Sequence, residues 1–129
     1  SSTIMKKDPA VAFKTNISSS TFATVKEGML RAVTQGSLQS TFKDLKVQAA
    51  AKTGTSQTVK IVNGRAVKGN NGFVISFAPY ENPEIAVVVL IENVDSGTAT
   101  AKVAADIYEY YFGTMKSVVP QQPFNTLLP

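Results

Sequence analysis

Lys52, Thr53, Gly54 and Thr55 set an ammonium group, two hydroxyls and a stretch of bare main chain within four consecutive residues. On an extended segment these groups suit an anionic, peptide-like ligand. The cation and hydroxyls meet a carboxylate, Gly54 lets a ligand approach the backbone, and an open strand edge accepts an extended peptide as a further strand. The same four residues also suit an ordinary edge strand on which Lys52 discourages unwanted pairing. Little else in the chain competes for a chemical role. The 129 residues include no His, Cys or Trp, which excludes an imidazole base, a thiolate nucleophile, a disulfide and any metal held by His or Cys. Acid–base work falls to Lys, Asp, Glu, Tyr or a hydroxyl.

The surrounding pattern indicates how this segment is held. Phe22, Val25, Met29, Ala32 and Val33 recur at spacings of three and four, which predicts an amphipathic helix from about Ser20 to Gln35. Ser18, Ser19 and Ser20 are its N-cap candidates and Gly36 its left-handed stop. Gly28 falls mid-helix, where glycine is costly, and is expected to mark close packing against another element. Val47 to Val59 reads as a strand, and Asn63-Gly64 between Ile61-Val62 and Ala66-Val67 predicts a hairpin turn. Gly69-Asn70-Asn71-Gly72 reads as a second turn. Strands follow at Phe73 to Ala78 and Ile85 to Ile91, separated by the Pro79 to Pro83 connection. Asp95-Ser96-Gly97-Thr98 caps a last helix, about Ala99 to Phe112, with Ala101, Ala104, Ala105, Tyr108, Tyr111 and Phe112 inward and Gly113 at its end. Helix, strand, hairpin, two strands and helix make an α+β fold, an antiparallel sheet flanked by helices. Residues 1–17 are expected to be an extended lead-in, 18–113 the folded part and 114–129 a proline-containing tail.

Composition narrows the partners. The longest apolar run, Ile85 to Ile91, has seven residues, far short of the roughly 18 to 20 that span a bilayer. Residues 1–68 carry 11 Lys/Arg against 3 Asp/Glu, whereas 69–129 carry 2 against 6. The basic half has two Arg and only Phe13, Phe22 and Phe42 as aromatics, which is a poor match to nucleic-acid binding. A carboxylate-bearing ligand, or attraction between the two halves, accounts for the split. The start at Ser1-Ser2-Thr3 suggests a processed or internal piece of a longer chain.

The stretch Ala50-Ala51-Lys52-Thr53-Gly54-Thr55-Ser56-Gln57 resembles the K-T-G element of penicillin-binding proteins and serine β-lactamases, which accompanies an S-x-x-K nucleophile and an S-x-N motif. The likeness includes Lys26-Glu27-Gly28-Met29 with Val33 and Gly36. It continues through Gly72-Phe73-Val74-Ile75-Ser76-Phe77-Ala78-Pro79, Asn82-Pro83-Glu84-Ile85-Ala86-Val87 and Glu92-Asn93. In this order, from about Lys14 to Phe112, the residues resemble the C-terminal half of a transpeptidase domain of the monofunctional class B penicillin-binding proteins. Ala51 and Ser76 stand where the family more often has Gly, and Asn71-Gly72 replaces an aromatic pair.

The resemblance implies a C-terminal fragment of a serine-type D,D-transpeptidase that cross-links peptidoglycan stem peptides ending in D-Ala-D-Ala and binds β-lactams without a cofactor. It implies that Lys52 places charge near the substrate carboxylate and in the proton network. Thr53 and Thr55 would donate hydroxyl hydrogen bonds to that carboxylate, and the Thr55 N–H would form one side of the oxyanion hole. The nucleophile is expected outside this chain. Ser40-Thr41-Phe42-Lys43 matches S-x-x-K but lies too close to Lys52 and in a connection, and Tyr80-Glu81-Asn82 imitates the second motif in a loop after K-T-G. The expected partner is the missing N-terminal half of the domain or a second copy. The parent is expected on the extracytoplasmic face of the bacterial membrane, anchored by a segment absent here. A β-lactam-sensing receptor ectodomain, a serine β-lactamase and a non-catalytic module are the alternatives, with the Ala78-Pro79 to Pro83-Glu84 segment favouring the synthase over the first two.

Overall fold

A computed structural model describes residues 14–94 and 96–115. The sequence encodes its first element through a side-chain cap: Ser18 Oγ accepts the Thr21 N–H at 3.1 Å, and helix α1 runs Ser19–Thr34. A one-turn helix, α2 (Gln39–Phe42), follows in what the sequence suggested was a plain connection. One turn is too short to leave a periodic signal. It seats Leu38 and Phe42 in the core beside Val33.

Strands β1 (Ala50–Val62), β2 (Arg65–Ala78) and β3 (Ile85–Ile91) form an antiparallel sheet in that order. Asn63 (φ 51°) and Gly64 (φ 75°) both take positive φ, as a two-residue hairpin turn of the I′ type requires. That turn pairs Val62 with Arg65 and runs in unbroken register to Ala50 opposite Phe77. The expected turn at Gly69-Asn70-Asn71-Gly72 is therefore corrected, since these residues lie within β2 opposite Thr58, Gln57, Ser56 and Thr55. Gly72 is needed for a close approach instead: a Cβ there would stand 2.6 Å from Val94 Cγ2 and 2.9 Å from the Ser96 carbonyl oxygen.

Helix α3 (Thr98–Tyr108) lies on one face of the sheet and continues into a π-helical turn, Glu109–Met115. Gly113 is thus inside the turn and does not stop the helix. The helix N-cap is Gly97, with no side-chain cap hydrogen bond. Ala101, Ala104, Ala105 and Tyr108 are buried against Ala51, Val74, Ala78 and Val87. The small alanines let the helix axis sit close to the strands, and Tyr108 brings a polar end into the layer. Its hydroxyl donates to Ser76 Oγ at 2.8 Å, and Ser76 Oγ donates to the Val87 carbonyl at 3.2 Å. Burial pushes the Tyr108 phenol above its usual value, and its hydrogen bond to Ser76 partly offsets this.

Two glycine expectations fail. Gly36 is not among the described residues with positive φ. The chain instead doubles back so that the Leu38 N–H reaches the Ala32 carbonyl at 3.1 Å. Nothing lies within 4 Å of a Cβ built on Gly28, so no close neighbour accounts for that glycine. Residues 14–17 have no regular secondary structure; the rest of the expected lead-in, Asp95, and the tail beyond Met115 lie outside the described residues.

Strand alternation gives the second sheet face to Phe73, Ile75 and Phe77 of β2 and to Ala86, Val88 and Leu90 of β3. Helix α1 lies over the Phe77 end, where Lys26 Nζ is 5.6 Å from the Phe77 ring centroid and 4.9 Å from that of Tyr80. Val88 and Leu90 are left 71% and 62% exposed.

Candidate functional site

The outer edge of β1 carries the candidate residues. Lys52 is opposite Ile75 and Gly54 is opposite Phe73, so both belong to the open sheet face, whereas Thr53 and Thr55 point to the α3 side. Lys52 is exposed, and its Nζ donates to the Thr53 carbonyl at 2.6 Å. That bond places the Thr53 carbonyl on the free edge of the strand. Main-chain groups alternate along an antiparallel ladder, so the N–H and C=O of Thr55 also face outward, while Lys52, Gly54 and Ser56 bond to β2. The Thr55 N–H thus points to the same edge as the Thr53 carbonyl that the Lys52 ammonium engages.

Thr55 is tied to α3. Its Oγ1 accepts the Gly97 N–H at 3.0 Å. A hydroxyl that accepts in this way keeps its own proton for donation, so the bond orients Thr55 without removing it as a donor to an anion. The positive end of the α3 dipole lies beside the same hydroxyl.

Gly54 has a packing reason of its own beside the expected approach of a ligand. A Cβ on Gly54 would fall within the Phe73 ring, so the space above this glycine is already filled by an aromatic side chain. On the other side stands Gly97, where a Cβ would collide with the Gly54 carbonyl and press on its carbonyl carbon and nitrogen at 3.1 and 3.2 Å.

The two imitations fall elsewhere. Ser40 lines a groove with Asp44, Lys102, Asp106 and Glu109 on the α3 side, away from the face that carries Lys52. Tyr80 is in the β2–β3 connection, where its N–H donates to the Gln48 carbonyl at 2.7 Å and its ring stacks on Phe77. Sequence reasoning missed Phe73 and Gly97 as the residues that shape the site. The hairpin register was a usable signal for Phe73, because a two-residue turn at 63–64 fixes residue 54 opposite residue 73. For Gly97 the only hint was a glycine before a helix.

This K-T-G edge, the three-strand order and the C-terminal helix across one face agree with the comparison of sequences. The sequence model of the penicillin binding protein transpeptidase domain matches residues 1–109. The chain belongs to this family. A peptidoglycan D,D-transpeptidase, MrdA of Acinetobacter baumannii, is 34% identical over 86 residues, a match covering 60% of this chain and 13% of that protein. The penicillin-binding protein 2A of Bacillus subtilis is 30% identical over 86 residues, covering 64% of this chain and 12% of the relative. The chain therefore spans a small part of the length of the curated relatives it matches. Its fold is similar to part of penicillin-binding protein 2B from Streptococcus pneumoniae, with a TM-score of 0.68 at 24% identity over 87% of this chain and 19% of the other.

Proposed function

We propose that this chain supplies the K-T-G edge of a D,D-transpeptidase site that cross-links peptidoglycan stem peptides and reacts with β-lactams. The supporting observation is the placement of the Thr55 N–H on the free edge of β1, beside the Lys52 ammonium and a Thr55 hydroxyl oriented by Gly97. A serine outside these residues attacks the carbonyl of the penultimate D-Ala, the terminal D-Ala leaves, and an acyl-enzyme forms for transfer to an acceptor amine. The Thr55 N–H stabilises the oxyanion together with the nucleophile's own N–H, and a donor of this kind is worth about 3 to 4 kcal/mol in the transition state. Lys52 and the hydroxyls of Thr53 and Thr55 hold the terminal carboxylate. No cofactor enters this scheme.

The segment that brings the serine covers the open sheet face, because Lys52 belongs to that face. There Phe73, Ile75, Val88 and Leu90 are exposed. Burying Val88 and Leu90 alone contributes about 1.5 to 3 kcal/mol each. The parent works on the extracytoplasmic side of the bacterial membrane, anchored from outside this chain. Among the described residues no helix is long and apolar enough to cross a membrane.

The test uses the chain mixed with a complementary segment of a penicillin-binding protein that carries S-x-x-K. Lys52→Ala in that mixture is expected to slow acylation by a fluorescent penicillin about 10- to 100-fold, the value of a charge-assisted hydrogen bond of about 1.5 to 3 kcal/mol. An unchanged rate would remove Lys52 from the site.

A further inference from the structure

Beyond Thr55 the hairpin projects as a two-stranded arm: β3 pairs with β2 only from Gly72 to Ala78, and among the described residues no third strand pairs with residues 56–71 on either edge. On the β2 edge, residues 70 and 71 are engaged by Val94, whose N–H reaches the Asn70 carbonyl at 2.9 Å, and by Asn93, whose N–H reaches Asn71 Oδ1 at 3.3 Å. The β1 edge is longer and open. The alternation set by Thr53 continues outward, so the N–H and C=O groups of Gln57, Val59 and Ile61 face the free edge. The side chains of Val59 and Ile61, 67% and 69% exposed, share one face, and Thr58, Lys60 and Val62 share the other. Lys60, Arg65 and Lys68 are the charges of the arm, and no acidic residue occurs from Ser56 to Tyr80.

We propose that the outer edge of β1 from Ser56 to Val62 binds an extended segment of an acidic partner protein, added as a strand whose residues alternate aliphatic and acidic. Three independent features select this occupant. Unpaired main-chain groups at every second residue are what strand addition uses. Aliphatic residues of the added strand cover Val59 and Ile61 on one face, and an acidic residue faces Lys60 on the other, with Arg65 beyond it opposite Val62. The charge also selects against a second copy, because its arm would bring another Lys60, Arg65 and Lys68 against the first. A lysine in an edge strand deters pairing in general, and an anionic partner turns that deterrent into selectivity. Lys68 stands beyond Val59, one strand further from the added peptide, and adds to the long-range attraction. The inference does not rest on the serine chemistry above.

The test is the binding of a short fluorescein-labelled peptide alternating Val and Glu to the 129-residue chain, followed by anisotropy, with a Val and Gln peptide as comparison. At low salt the acidic peptide is expected to bind about fivefold or more tightly than the neutral one, and the difference is expected to shrink in high salt. Amide exchange is expected to slow at Gln57, Val59 and Ile61. Lys60→Glu, at an exposed position, is expected to weaken the acidic peptide about tenfold. Equal affinity for the two peptides would overturn the proposal, as would protection confined to Ile85–Ile91 or to residues 65–69. Concentration-dependent dimerisation that protects the arm without peptide would assign the edge to a second copy and equally overturn it.

Discussion

Replacing Gly97 with alanine adds one methyl group where helix α3 meets the K-T-G strand. The backbone at Gly97 is helical, with φ −64° and ψ −14°, so alanine is not strained there, but at this N-cap position it brings no gain, because glycine is preferred over alanine at helix N-caps. The contact works against it. The new Cβ would collide with the Gly54 carbonyl oxygen and crowd the Gly54 carbonyl carbon at 3.1 Å and nitrogen at 3.2 Å, and these are main-chain atoms of a paired strand, unable to swing aside as a side chain would. Overpacking of this kind costs about 1 to 3 kcal/mol. Moving the helix outward to relieve it loses the hydrogen bond from the Gly97 N–H to Thr55 Oγ1, a further 0.5 to 1.5 kcal/mol or so. The net expectation is a loss of at least about 2 kcal/mol. With a urea m-value of about 1.5 kcal/mol/M for a small domain, the midpoint of unfolding falls by about 1 M. A midpoint unchanged within about 0.3 M would show that the close approach of Gly97 to Gly54 is wrong, and with it the anchoring of Thr55.

Gly28→Ala has the opposite sign: with nothing within 4 Å of the added Cβ, it is expected to raise stability by up to about 1 kcal/mol through helix propensity, and a loss measured in the same urea titration would mean that the position is packed. Tyr108→Phe leaves Ser76 Oγ its bond to the Val87 carbonyl but removes the bond between the two hydroxyls, and is expected to cost about 1 kcal/mol near neutral pH. The folded-state pKa of Tyr108 is raised, so the unfolded chain releases this proton first. The tyrosine's contribution is therefore complete below the ordinary phenol value of about 10 and is lost as pH rises from there through the higher folded value. The stability gap between native chain and Tyr108→Phe should narrow over that alkaline range in pH-dependent thermal melts, and a constant gap would contradict the burial of the phenol.

Much of the architecture was legible because it is written in local signals. Ser18 caps α1, Asn63-Gly64 turns the hairpin, and the alanine and tyrosine spacing of α3 marks the face that packs on the sheet. The misreadings share a cause, which is that a glycine's reason is often a distant neighbour. Gly69-Asn70-Asn71-Gly72 has the composition of a turn, yet Gly72 is bare because Val94 and Ser96 return over it. Gly54 has the look of a ligand approach and also makes room for Phe73. Gly28 suggested a contact that is not made among the described residues. The K-T-G element itself was legible as a candidate from its residue types, and its place on an edge strand followed from the hairpin. Which of its groups face outward required the Lys52 to Thr53 bond and the ladder alternation, and the tie from Thr55 to α3 joins residues 42 apart in sequence.

If this chain holds the K-T-G edge of a serine acylation site whose nucleophile lies elsewhere, it assists acylation without being acylated itself. Intact-mass measurement after exposure to benzylpenicillin tests it, applied to the chain alone and to the chain mixed with a complementary S-x-x-K segment. No covalent adduct is expected on the 129-residue chain in either sample, and an adduct is expected on the complementary segment that forms faster when this chain is present. A penicilloyl adduct on this chain, at Ser40 or any other hydroxyl, would contradict it.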